Sequence, residues 1–169
     1  INNVFPTKNL VSAEAKISTN ELKLFWFSQT IGPKRGIEHA IEAIGYLNNP
    51  HINLTLLGDI NVKEVHYFED LALGAGLAQS QLRFLNPVTP DQIFKLAKHY
   101  DIGLALETGF CLNNDIALSN KIFTYLTTGL AIIASETSAQ KEFIATYPLV
   151  GKSYPLNNVK VFASLIDFY

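Results

Sequence analysis

Short apolar runs alternate along this chain with longer stripes in which apolar residues recur every three or four positions. Leu22-Lys23-Leu24-Phe25-Trp26-Phe27-Ser28 reads as a strand, and Ile37, Ala40, Ile41, Ile44 and Leu47 then mark an amphipathic helix. Ile52 to Gly58 is a second strand stopped by glycine, and Val65, Phe68, Leu71 and Ala72 form a stripe broken near Gly74 and Gly76. Gln81 to Leu85 is a third, shorter strand. Thr89-Pro90-Asp91-Gln92 then places a hydroxyl at a helix N-cap, proline at the first helical position and an amide three residues after the cap. Asp101 to Leu106 is a fourth strand, followed by a polar stretch from Glu107 to Asp115. Ser119 to Thr128 reads as a helix with Gly129 as its left-handed stop. Leu130 to Ser135 is a fifth strand, too apolar to face water on either side. Thr137-Ser138-Ala139-Gln140 repeats the capping pattern before a helix carrying Phe143 and Ile144. A weak strand at Leu149-Val150 and a helix from Val159 to about Phe168 complete the pattern.

Strict alternation of buried strands and helices predicts an α/β fold. Right-handed crossovers leave few topologies, and the expected one is a doubly wound, Rossmann-like parallel sheet of about six strands with helices on both faces. Residues 1–20 do not fit the alternation and are expected to be an entry or linker segment, leaving 21–169 as one domain. The chain starts at Ile1 without methionine or a basic leader, so it is expected to be a piece of a larger two-domain protein. Its 48% apolar and 17% charged residues fill a core and exclude disorder. Thirteen basic against fifteen acidic side chains give no field for nucleic acid, and no apolar run is long enough to span a membrane. A single cysteine, Cys111, excludes an internal disulfide framework and a multi-cysteine zinc site. His39, His51, His66 and His99 are scattered without helical pairing, so no metal site is expected.

Open α/β sheets bind ligands beyond the carboxyl ends of their strands, which directs attention to the loops Ser28–Gly36, Leu85–Pro90 and Glu107–Lys121. The first joins a strand to a helix and carries adjacent cations, Lys34 and Arg35. Free amides at a helix start beside two cations suit an anion, whereas a plain surface turn is the simpler account. Neither a dinucleotide fingerprint nor a Walker loop is present. In the third loop Glu107 leaves a buried strand, Asn113-Asn114-Asp115 follows, and Ser119-Asn120-Lys121 opens a helix. A carboxylate, amides and a lysine around one helix start could hold a diphosphate and sugar hydroxyls. The competing account makes Ser119 an N-cap and the Asn/Asp cluster ordinary loop formers. Trp26, inside a strand, is expected in the core, and Cys111 lacks a histidine partner for nucleophilic chemistry.

In this order the segments resemble the C-terminal, donor-binding domain of GT-B glycosyltransferases of the group 1, family 4-like type, over nearly the whole chain. Asn3-Val4-Phe5-Pro6 is similar to that family's entry into the domain, and Phe27–Gly36 to its strand and basic loop at the donor diphosphate. Leu82–Val88 resembles the segment whose turn lies beside the base. The most specific block is Ser119-Asn120-Lys121-Ile122-Phe123-Thr124-Tyr125-Leu126 with Gly129 to Ser135. Departures accompany the match. Gln29 replaces the usual arginine, Arg35 stands at the lysine position with Lys34 beside it, and Thr124 stands where a ribose-binding glutamate is expected. The earlier of the family's two glutamates falls near Asp115–Ile116, with Glu107 as the candidate for a related role.

The resemblance implies transfer of a sugar from a nucleotide diphosphate donor to a glycan or lipid-linked acceptor held by a separate N-terminal domain. It implies diphosphate contacts from Gln29, Lys34, Arg35, Asn120 and Lys121, and base or sugar contacts from Asn86, Val88, Glu107, Ser119 and Thr124. No cofactor is expected, because the nucleotide sugar is itself a substrate and protein cations can neutralise the leaving group. Catalytic groups are expected outside this piece, which would bind donor without turning it over. The setting implied is polysaccharide biosynthesis in the cytoplasm, with peripheral attachment of the full-length protein to the inner membrane face left open. Two alternatives stay open: a non-catalytic binding or scaffold domain of the same fold, and a nucleotide-sugar epimerase domain.

Overall fold

A computed structural model describes residues 20–169; the predicted entry segment lies, apart from Asn20, outside the described residues. Six strands form one parallel sheet: β1 (Leu22–Thr30), β2 (Ile52–Asp59), β3 (Leu82–Leu85), β4 (Ile102–Ala105), β5 (Ala131–Ser135) and β6 (Gly151–Tyr154). Their spatial order is β3-β2-β1-β4-β5-β6. Consecutive strands therefore run outward one way from β1 to β3 and the other way from β4 to β6, with the reversal between β1 and β4.

The helices are α1 (Ile37–Leu47), α2 (Val62–Gly74), α3 (Pro90–Ala97), α4 (Leu112–Ile116), α5 (Asn120–Thr128), α6 (Ser138–Thr146) and α7 (Val159–Phe168). Strand side chains alternate between two cores, as period-two geometry requires. Leu24, Trp26, Leu54, Leu56, Leu104 and Ile133 pack with α1, α2 and α7 on one face. Phe25, Leu57, Ala105, Ile132 and Ala134 pack with α3, α5 and α6 on the other. Three elements differ from the sequence reading. The polar stretch after β4 contains the short helix α4, which the absence of an apolar stripe concealed. The last strand starts at Gly151 rather than Leu149, whose side chain is fully exposed. The capping pattern before α6 is half formed: Thr137 accepts the Gln140 N–H at 3.4 Å, but the Gln140 side chain is fully buried. Its Nε2 donates to the carbonyls of Ala105 and Ser135 instead.

One tyrosine bridges the two strands at the reversal point. β1 and β4 pair only at Leu24–Ile102 and Phe25–Gly103, after which β1 continues beside β2 and β4 beside β5. Tyr125 of α5 lies directly on Gly103, where a Cβ would come within 2.2 Å of the ring. Its hydroxyl sits 3.0 Å from the Leu104 carbonyl and 3.2 Å from that of Phe25. Burial, reinforced by the Glu107 charge, pushes this phenol well above its ordinary range, so it remains a donor. Gly103→Ala should lower the unfolding free energy in urea by about 3 kcal/mol, since backbone cannot retreat from a packed ring. Tyr125→Phe should lower it by about 1–2 kcal/mol, the cost of losing the buried hydrogen bond that its single O–H shares between the two carbonyls.

Candidate functional site

Where β1 and β4 part, their following loops enclose a cavity of about 570 Å³, within the range of small-molecule sites. Trp26, Leu106 and Phe110 supply apolar wall, and Lys34, Arg35, Glu107 and Lys121 supply charge. A shallower groove of about 400 Å³ continues from it past Asn114, Ser119 and Asn120.

The basic loop owes its shape to two left-handed residues, Lys34 (φ 63°) and Gly36 (φ 80°), on either side of Arg35. Space adds to the preference for glycine at Gly36, because a Cβ there would stand 3.0 Å from Leu106 Cβ and that side chain would have to give way. Arg35 donates from Nη1 to Ser28 Oγ at 3.0 Å and from Nη2 to Thr30 Oγ1 at 3.1 Å, so the end of β1 orients its guanidinium. Neither Lys34 nor Arg35 has a carboxylate within salt-bridge distance among the described residues.

Glu107 is the hub of the opposite wall. Lys121 Nζ donates to its Oε1 at 3.0 Å, Ser119 Oγ to the same oxygen at 2.9 Å, and Asn114 Nδ2 to Oε2 at 2.8 Å. Its backbone is clamped by Ser135, whose Oγ accepts the Glu107 N–H at 2.8 Å and lies 2.6 Å from the Glu107 carbonyl. Burial raises the carboxyl pKa, but the Lys121 charge and the hydrogen bonds from Lys121, Ser119 and Asn114 outweigh it, so the net shift is downward. Lys121 also stands 5.5 Å over the Trp26 ring. Three cations and one carboxylate leave the cavity with an excess of two positive charges, in a chain whose formal net charge is −2.

Of the residues singled out in the sequence, Lys34, Arg35, Glu107 and Lys121 come together in the cavity, with Ser119 and Asn120 in the adjoining groove. Ser119 precedes α5 at its N-cap position but makes no cap; its hydroxyl serves Glu107. Four others lie apart from both. Gln29 is exposed on β1, Asn86 and Val88 follow the edge strand β3, and Thr124 is buried under α5. Asp115 turns away as well: its carboxylate accepts the Ser138 N–H at 2.9 Å and the Ser138 hydroxyl at 2.6 Å, which pull its pKa down. Asn114, read in the sequence as part of the polar loop cluster, lines the cavity, whereas Trp26 and Phe110 were passed over as lining. Trp26 is only 1% exposed, so it belongs to the core as expected and to the cavity wall too. It is the middle residue of β1, one position past the last β1–β4 pair, so its place in the sequence does not mark it as cavity wall. No cluster of three or more His, Cys, Asp or Glu able to hold a metal occurs among the described residues.

Comparison with solved structures places this geometry. The C-terminal domain of a glycosyl transferase group 1 family protein (LpcC) from Francisella tularensis superposes with a TM-score of 0.69. It shares 17% identity over 98% of this chain and 87% of its own. The chain shares its fold with that domain. HepE of Anabaena, solved in complex with UDP-glucose, matches this fold over 88% of the chain and 39% of its own length, at 17% identity and a TM-score of 0.66. A glycosyltransferase from Rickettsia africae matches over 89% of the chain and 38% of its own, at 18% identity and 0.69. The chain thus spans well under half the length of these last two proteins. No protein-family model and no curated protein matches it.

Because the Glu107 pKa is lower in the folded state, its contribution to stability is present above about pH 4.5 and is lost as pH falls through the folded value. Glu107→Gln should cost about 1–2 kcal/mol at pH 7, having removed the charge that Lys121 and two neutral donors share. In urea titrations the gap between wild type and variant should close progressively below pH 4.5. A gap that stays constant down to pH 3 would mean that the carboxylate is not the stabilising form.

Proposed function

We propose that this chain is the donor-binding domain of a glycosyltransferase and that its cavity holds the diphosphate of a nucleotide sugar. The observation that carries the reading is the pair Lys34 and Arg35, whose side chains line the cavity at the sheet reversal with no carboxylate within salt-bridge distance among the described residues. A diphosphate brings two to three negative charges, and two unpaired cations beside a third, half-committed one are matched to it.

In the transfer, the bond between the sugar's anomeric carbon and the β-phosphate oxygen breaks, and its electron pair stays on the phosphate. Lys34 and Arg35 would neutralise that developing charge without reorganising, Arg35 being already oriented by Ser28 and Thr30. Glu107, Ser119 and Asn114 offer polar atoms on the side where the sugar would lie. No cofactor enters this chemistry. The acceptor and the remaining catalytic groups would come from a further, N-terminal domain, closing over the donor. The setting proposed is polysaccharide or lipid-linked glycan synthesis in the cytoplasm; among the described residues no helix is long and apolar enough to cross a membrane.

One observation favours binding without turnover as a second reading. Thr124, at the position where the resemblance calls for a ribose-binding glutamate, is buried, so the cavity lacks that second carboxylate. The compared structures named above are glycosyltransferases and lend nothing to an epimerase.

Calorimetric titration with UDP and GDP tests the assignment. The variant carrying Lys34→Ala and Arg35→Ala should bind the preferred diphosphate at least tenfold more weakly, a loss of about 1.4 kcal/mol or more. Its affinity for the corresponding nucleoside should be unchanged. Equal diphosphate affinity in both proteins would sink the donor reading. A wild-type chain whose melting temperature no nucleoside diphosphate raises would favour the scaffold.

A further inference from the structure

The basic loop contains a feature that anion binding alone does not call for. Lys34 adopts a left-handed conformation (φ 63°), which a lysine takes only at a cost. Its backbone N–H donates to Glu38 Oε1 at 2.6 Å, a short, charge-assisted bond. Glu38 lies in the first turn of α1, whose N-cap, Gly36, offers no side-chain acceptor. A carboxylate there is favoured by the helix dipole. On its far side the Tyr67 hydroxyl of α2 donates to the same Oε1 at 3.5 Å. Burial raises the Tyr67 pKa and the Glu38 charge raises it further, so the phenol keeps its proton.

We infer that Glu38 is a positioning residue for anion recognition: by accepting the Lys34 amide it fixes the left-handed turn that sends Lys34 and Arg35 to the cavity wall. The inference rests on the diphosphate reading of that cavity. The amide of Lys34 is thereby spoken for, so phosphate recognition by this loop falls to side chains rather than to that N–H. Glu38 also sets a negative charge behind the loop, so its charge and its hydrogen bond act in opposite directions on an incoming anion. A glutamine keeps the acceptor oxygen and drops the charge; an alanine drops both.

Two measurements on the 169-residue chain separate these roles. The first needs no ligand. Limited trypsin digestion should cut after Lys34 or Arg35 at least fivefold faster in Glu38→Ala than in wild type, with Glu38→Gln within twofold of wild type. The second is calorimetry with UDP: Glu38→Ala should bind at least fivefold more weakly, and Glu38→Gln as tightly as wild type or tighter. Melting temperatures of all three, measured alongside, show whether a loss comes from global destabilisation. Equal cleavage of all three proteins, or a glutamine variant that behaves as the alanine one, overturns the assignment. If wild type binds neither UDP nor GDP while the cleavage difference is present, the diphosphate reading falls, and Glu38's role in anion recognition falls with it.

Discussion

The site depends on Tyr125 resting on a strand that has no side chain beneath it. At the reversal β1 and β4 stop pairing before they end, and the carbonyls of Phe25 and Leu104 both lie within hydrogen-bond reach of the Tyr125 hydroxyl. One phenol, lowered onto Gly103, meets both. The same contact anchors the middle of α5 against the sheet, so the residues one turn earlier have little choice of position. Lys121 precedes Tyr125 by four residues, which brings it to the same helix face and out over the parted strand ends. The crevice and one of its cations therefore follow from a single packing event.

A second constraint shapes the wall opposite the basic loop. The connection from β4 to α5 is long, and long loops tend to sample many conformations. Here it is tied at intervals. Ser135 and Gln140, both buried, take the backbone polar groups at Ala105 and Glu107. Asn114 accepts the Gly109 N–H at 2.6 Å and returns a hydrogen bond to Glu107. Asp115 fastens the loop to the start of α6. The Glu107 carboxylate is thereby presented in one orientation, with three donors surrounding it, by elements from four separate stretches of chain.

Much of the architecture could be read from the residues because period and punctuation agree. The five main strands carry short apolar-rich runs, and the helices between them carry stripes with recognisable ends, such as the Thr89-Pro90 start and the Gly129 stop. Where signals were local, boundaries came within a residue or two. What escaped detection depends on pairing at a distance. α4 has two exposed apolar residues, Leu112 and Ile116, and no stripe, since its stability comes from ties to Glu107 and Ser138. Gln140 looked like half of a capping box, yet two carbonyls at strand ends offered it buried partners. At the site, Lys34, Arg35, Glu107 and Lys121 were legible from loop position and charge. Gln29, Asn86, Val88 and Thr124 rest on register with a related pattern and lie outside the lining of the cavity and its groove.

The cavity is not a simple basic patch, since carboxylates stand on both sides of it, and magnitudes explain why that arrangement still suits an anion. A like charge at a partly solvated distance costs an incoming phosphate on the order of 1 kcal/mol. Ordering a loop residue costs about 1–2 kcal/mol of backbone entropy, and each cation-bearing loop here has several residues to order. If that ordering had to accompany binding, it would exceed the repulsion. Glu38 and Glu107 shift it into folding, where the Lys34 amide, Lys121, Ser119 and Asn114 already serve as their partners. An anion entering the cavity would then meet Arg35 and Lys34 in place, with a surplus of positive charge that the two carboxylates reduce but do not cancel.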